Sequence, residues 1–297
     1  MSGIKSLLAN NQLSEWASWL ISGPQPSARE TLLFLERAFG HLPPARQQRI
    51  DRRLRNANSI DDFLFELLVY EVCYEFELDP VFEPNIGQKT PDLALNIAGQ
   101  TFIADVFVTN RPEKTLTPHG LMDYKDCGEG AKKLADRVSE KVGKYSQLAA
   151  PLVLFVFGRG ISGHELETGL YGASVNEVLS SNGVSVDCHE AWHVHGVFCP
   201  PGPEARHPTL SAVIGCDWFD TFTHDTPGRR LHCVVYHHWQ PRVPLPMGAF
   251  GRFQDVIWRR NESGLFYPRI CGEANLVMST TSRDEPEWAP YSANSPW

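Results

Sequence analysis

Two short segments, Thr90-Pro91-Asp92-Leu93-Ala94-Leu95 and Phe102-Ile103-Ala104-Asp105-Val106-Phe107-Val108, with Gly99 between them, constrain the fold more than any other part of this chain. Both are rich in apolar and β-branched residues and the glycine permits a tight turn, so they read as an antiparallel hairpin. At a period of two, Phe102, Ala104, Val106 and Val108 share one face, and Ile103, Asp105 and Phe107 share the other. Each strand carries one Asp where an apolar residue is expected. Asp92 opens the first strand, so the hairpin can bring it to Asp105 at one edge of a sheet. Two convergent carboxylates suit a hard divalent cation.

The surroundings predict an α/β fold. The first 57 or so residues read as an N-terminal helical segment: Ile4 to Leu20 has amphipathic spacing, and Ser27-x-x-Glu30 has the form of a capping box ahead of Leu32, Leu33, Leu35 and Phe39. Pro43-Pro44 breaks the chain before an arginine-rich helix. Another helix is expected from Ser59 to about Leu78, stopped by Pro80. Its apolar residues run almost all the way round, which predicts burial on several sides. Glu66 is the only charged residue between Phe63 and Tyr70, and a buried carboxylate is costly unless paired or bound to a metal. If that helix covers the hairpin edge, Glu66, Asp92 and Asp105 form a three-carboxylate set for Mg²⁺.

A helix from about Gly130 to Leu148 and a continuous apolar strand from Pro151 to Phe157 follow, the latter suited to the centre of a sheet. The order helix, strand, turn, strand, helix, strand predicts a mixed central sheet flanked by helices. Residues 58–160 are read as the core and 161–278 as its α/β extension. In the extension, a helix is expected near Val175–Leu179, ending at Asn182-Gly183. Strands are expected at Val184–Val186, Val194–Phe198, Leu210–Ile214 and Leu231–Tyr236. Residues 279–297 are polar, contain three prolines and have no periodicity, so a disordered tail is expected.

At 297 residues, 42% of them apolar and 21% charged, the chain suits a soluble protein with a real core. No signal peptide and no apolar run of roughly 18 residues is present. Seven cysteines with no C-x-x-C pair point to a reducing, cytoplasmic setting. The net charge of -8 argues against a broad surface for nucleic acid, though not against a local one. Five arginines crowd residues 46–55 against the single acid Asp51. They read either as a solvated helix face or as a phosphate-contacting patch.

Taken together, Glu66 in FLFELLVYE, Pro91-Asp92 in TPDLAL and Asp105 in FIADVFV make the chain resemble the PD-(D/E)xK nuclease superfamily, whose core is restriction-endonuclease-like. It is similar in particular to an uncharacterised bacterial group with a later Lys-x-x-Lys-Tyr segment, here Lys141-Val142-Gly143-Lys144-Tyr145. The resemblance covers about residues 55–160 and extends loosely to Ser211-Ala212-Val213 and Pro244-Leu245-Pro246.

It implies a nuclease that hydrolyses phosphodiester bonds of DNA by metal-activated water. Mg²⁺ or Mn²⁺ would be held by Glu66, Asp92 and Asp105 with the Val106 carbonyl. The departure is Phe107, where the superfamily has a Lys that orients the attacking water. Lys141, near the middle of the buried face of the 130–148 helix, is the candidate replacement, and Lys89 a weaker one. Arg46, Arg49 and Arg53, with Lys144, are the candidate nucleic-acid contacts. Phe107 also leaves room for a module that binds nucleic acid, or regulates, without cutting. The sequence does not choose between a single chain and a homodimer.

Eight of the eleven histidines lie between His189 and His238. Cys188-His189-x3-His193-x-His195-x3-Cys199 could supply nitrogen and sulfur ligands for Zn²⁺. The spacing matches no zinc motif, and core cysteines with surface histidines are the simpler reading. No G-x-S-x-G, P-loop or dinucleotide glycine pattern occurs.

Overall fold

The β-hairpin forms, and its turn explains why it is tight. A computed structural model describes residues 3–9, 13, 15–23, 26–54, 57–110, 124–159, 163–181, 184–194, 196–198, 206–217, 232–251, 253–260 and 266–271. Strand β2 (Leu93–Ile97) pairs antiparallel with β3 (Gln100–Asn110), from Leu93 opposite Ala104 to Ile97 opposite Gln100. The two residues between them, Ala98 and Gly99, have φ of 51° and 79°. Positive φ at both central positions is the type I′ signature, whose twist matches the strands it joins. A two-residue strand β1 (Val81–Phe82) extends the edge beyond β2.

On the other side, β3 pairs in parallel with β4 (Leu152–Arg159), and β4 in parallel with β7 (Leu210–Asp217). Then come β8 (His232–His237), β9 (Gln254–Arg260) and β10 (Phe266–Cys271), giving an eight-stranded mixed sheet. The 152–157 segment is central, as its unbroken apolar run implies. The sheet runs through both the 58–160 and the 161–278 stretches, and Ser211 Oγ on β7 donates to the Val243 carbonyl at 2.7 Å.

Helices cover both faces. On one side lie α1 (Ile4–Ala9), α2 (Glu15–Ser22), α3 (Pro26–His41), α4 (Pro44–Leu54) and α5 (Ala57–Glu75). Every residue from Phe63 to Cys73 of α5 is buried, because it lies between the other N-terminal helices and β3. That burial is what its all-round apolar sequence predicts. Phe102, Ala104 and Val106 join this cluster, while Ile103 and Phe107 join the opposite one beneath α6 (Tyr124–Tyr145) and α7 (Gly163–Tyr171).

Several boundaries differ from expectation. The amphipathic 4–20 stretch forms α1 and most of α2. Helix α3 begins at Pro26, where proline's fixed φ suits a first turn, so the helix starts one residue before Ser27, the expected cap. Helix α5 ends with Leu78 N–H bonded to the Cys73 carbonyl and Glu77 N–H to the Tyr74 carbonyl, a Schellman arrangement with Glu77 at φ 57°.

The expected helix at Val175–Leu179 is wrong. It is strand β5 (Ala173–Ser181), paired antiparallel with β6 (Val184–Val194) in a separate two-stranded sheet. The Asn-Gly step between them is a hairpin signal, which outweighs the weak helical spacing. Strand β6 stops at Val194. Val197 and Phe198 are buried without strand structure, their N–H groups bonded to the Gly169 and Leu170 carbonyls at the end of α7. The expected tail lies outside the described residues.

Candidate active site around Asp105

Asp105 sits in the middle of β3 with 0% exposure. It belongs to the face that α6 covers, and one turn of that helix surrounds it. Lys141 Nζ lies 2.5 Å from Asp105 Oδ2, and Lys144 Nζ lies 3.4 Å from Oδ1. The Tyr145 hydroxyl donates to Oδ1 as well. Spacings of three and four residues put all three side chains on one side of a helix.

Burial and the Asp105 charge push the Tyr145 phenol far above its ordinary value, so it stays protonated and donates. Lys141 lies at the margin of the buried face, not near its middle: its side chain is 17% exposed and reaches inward to the carboxylate. On the way its ammonium stands 5.6 Å from the Phe107 ring centroid, two residues beyond Asp105 on the same strand face.

Asp92 lies one residue before β2. Continuing the β2–β3 register by one step sets it opposite Asp105. Its Oδ2 accepts the Val106 N–H at 2.7 Å, which fixes the side chain against β3. Burial, then the charges of Glu66 and Asp105, hold its carboxyl above the usual carboxylate range. The Val106 hydrogen bond and Lys141 only partly oppose them. Glu66, 3% exposed on α5, thus shares one electrostatic neighbourhood with Asp92 and with Tyr145. Glu71, one turn further on, is also buried, with His41 Nδ1 at 2.8 Å and the Arg37 guanidinium Nε at 3.4 Å.

The donor set suits a hard cation in charge and atom type. Among the described residues, however, no three His, Cys, Asp or Glu side chains are gathered closely enough to hold a metal ion. Mg²⁺ needs only about one or two carboxylates and keeps several waters, so the set still fits that ion.

The other candidates fall elsewhere. Arg46 is committed within the fold, its Nη1 2.9 Å from Glu83 Oε2 and its Nη2 2.6 Å from the Glu83 carbonyl. Arg49 and Arg53 lie on α4, with side chains outside the described set. Lys89 is exposed, its backbone bridged to Ile86.

Of the zinc candidates, Cys188, His189 and His193 lie on β6 with side chains outside the described set, and His195 and Cys199 are outside it altogether. Cys216 and Cys233 face each other on β7 and β8, buried, with sulfurs 3.3 Å apart. The expectation of surface histidines fails at His237 and His238, which are both fully buried. His237 Nε2 is 2.6 Å from Asp255 Oδ1. His238 donates from Nε2 to the Arg206 carbonyl and accepts the Gln240 N–H at Nδ1, and burial pushes it down to about 4, so it is neutral.

No family model, curated protein or solved structure matches the chain. Among the described residues no helix is long and apolar enough to cross a membrane.

In the sequence Tyr145 stood out only as the end of the Lys-x-x-Lys-Tyr segment, with no role of its own, and Lys144 was expected as a phosphate contact. The signal that finds them is the Lys-x-x-Lys-Tyr spacing itself. Any helix that packs over Asp105 with Lys141 inward must bring the next turn there too.

Proposed function

We propose that this chain is a Mg²⁺- or Mn²⁺-dependent nuclease of the PD-(D/E)xK kind, hydrolysing phosphodiester bonds of DNA in the cytoplasm. One observation carries the reading: α6 delivers the Lys141 ammonium 2.5 Å from Asp105 and over the ring of Phe107. The charge missing from the strand is supplied from the neighbouring helix. Asp92 and Asp105, with the Val106 carbonyl, would hold the cation, and Glu66 would add its charge to the neighbourhood without ligating; when bound, the cation neutralises charge on a phosphodiester and lowers the pKa of a water.

The chain's own residues do the rest. Val106 N–H fixes Asp92, and Tyr145 fixes Asp105 while keeping its proton. Lys141, partly open to solvent, offers N–H donors to a phosphate oxygen as negative charge grows there. Even with Lys141 and Lys144 beside Asp105, the crowded carboxylates raise Asp92, and a bound cation would relieve that repulsion.

The test is cleavage of mixed nucleic-acid substrates in Mg²⁺ or Mn²⁺ by wild type and by Asp92→Ala. Wild-type cleavage lost in the variant is expected, and equal cleavage by both proteins would remove the hypothesis. A second reading has its own observation: both Asp105 oxygens are already engaged by α6 donors. On that reading the chain is a nuclease-fold module that binds nucleic acid or regulates without cutting. It predicts DNA binding with no cleavage in either metal.

A further inference from the structure

In the arginine run of residues 46–55, Arg46 is held by Glu83, and the side chains of the other four arginines lie outside the described set. Helix α6 holds a second basic run. Between residues 132 and 144 it carries Lys132, Lys133, Arg137, Lys141 and Lys144 against Asp136 and Glu140, in a chain whose net charge is -8.

Their distribution round the helix is uneven. At about 100° per residue, Lys133, Arg137 and Lys144 fall within an arc of about 40°, on the same side as Lys141. Asp136 lies towards the other flank, with Lys132 beyond it. Lys133, Arg137 and Lys144 are exposed, the last two with side chains 45% and 41% accessible. The row ends at Asp105, because Lys144 and Lys141 both reach that carboxylate. One acid borders the row: Glu140 lies 2.6 Å from Arg137, and as an exposed pair, three residues apart on the helix, it holds that guanidinium weakly.

We infer that this flank of α6, Lys133, Arg137 and Lys144, is a phosphate track that leads the backbone of duplex DNA to the Asp105 site. From Lys133 to Lys144 the row spans about 16 Å at about 1.5 Å per residue. That is long enough to meet several phosphates of one strand, at about 3.4 Å of helix axis each. The side chains contact phosphate and read no bases, so the track is indifferent to sequence. The inference takes its direction from the nuclease reading of the Asp105 site, but its test does not depend on catalysis.

The experiment is fluorescence anisotropy of the full chain on a labelled duplex of arbitrary sequence in EDTA, titrated across a range of salt. Each lost phosphate contact lowers the slope of log K against log salt by about 0.9. The double variant Lys133→Gln/Arg137→Gln is therefore expected to flatten the slope by about 2, equally for unrelated sequences. Lys132→Gln, on the opposite flank, is expected to leave the slope unchanged.

An unchanged slope in the double variant overturns the track. So does an equal loss of slope in Lys132→Gln, which would mark a response to net charge, and so does a wild type that does not bind. Wild type that binds with the expected slopes but never cuts in Mg²⁺ or Mn²⁺ upholds the track and removes the catalytic reading. Cleavage with no response to the double variant does the reverse.

Discussion

Replacing Lys141 by Met tests whether the Asp105 pair is an electrostatic anchor or an incidental contact. Met keeps most of the volume and removes the charge. Asp105 has 0% exposure, so its carboxylate cannot turn to water when the ammonium at 2.5 Å disappears. Breaking a buried ion pair from one side costs on the order of 3–5 kcal/mol. Two donors remain, the Tyr145 hydroxyl and Lys144 Nζ at 3.4 Å, the latter on a side chain 41% exposed.

They place the expected cost at the lower end, about 3 kcal/mol. The control is the same substitution in an Asp105→Asn background, where no buried charge is left stranded. There Lys141→Met is expected to cost under about 1 kcal/mol, a coupling of about 2 kcal/mol, within the range for contacting residues. Urea denaturation followed by tryptophan fluorescence gives all four stabilities. If Lys141→Met costs the same in both backgrounds, the ammonium is not what stabilises Asp105, and its place opposite Phe107 loses its energetic support.

Two further outcomes are expected. Burial and the Glu66 and Asp105 charges raise the Asp92 carboxyl, so the folded protein holds this proton where the unfolded chain has released it. The stability it contributes is present below the ordinary carboxylate range and is lost as pH rises through the raised value. Asp92→Asn, which keeps an acceptor for Val106 N–H, should therefore gain stability over wild type as pH rises through that window. Urea midpoints across pH check this, and an advantage that shrinks with rising pH would contradict it. Glu77→Gly at the left-handed position ending α5 should stabilise by up to about 1 kcal/mol, because only glycine adopts that conformation without steric cost. Thermal denaturation reads it, and a fall in Tm would mean the Glu77 side chain has an offsetting role.

The sequence made the hairpin and the central strand legible because period-two alternation, a Gly turn and an unbroken apolar run each have one simple structural solution. Buried α5 was legible for the same reason. Segment 175–179 was misread because its spacing suits helix and strand alike, and only pairing with β6 decides it. In the site, Asp92, Asp105 and Lys141 stood out as charges in apolar surroundings. Tyr145 did not, since a tyrosine in an apolar stripe looks like core until the carboxylate it serves is placed beside it. Arg46 misled for the converse reason: its partner Glu83 is 37 residues away, and no local pattern announces the pair.

The most direct measurement is single-turnover cleavage of duplex DNA in Mn²⁺ by wild type and Lys141→Ala, with folding of the variant verified by circular dichroism. If α6 supplies the charge that Phe107 lacks, wild type cuts and the variant is slower by roughly a hundredfold or more, the usual loss when one preorganised transition-state donor is removed. Cleavage by the variant at the wild-type rate would contradict that assignment, and no cleavage by wild type would remove the nuclease reading.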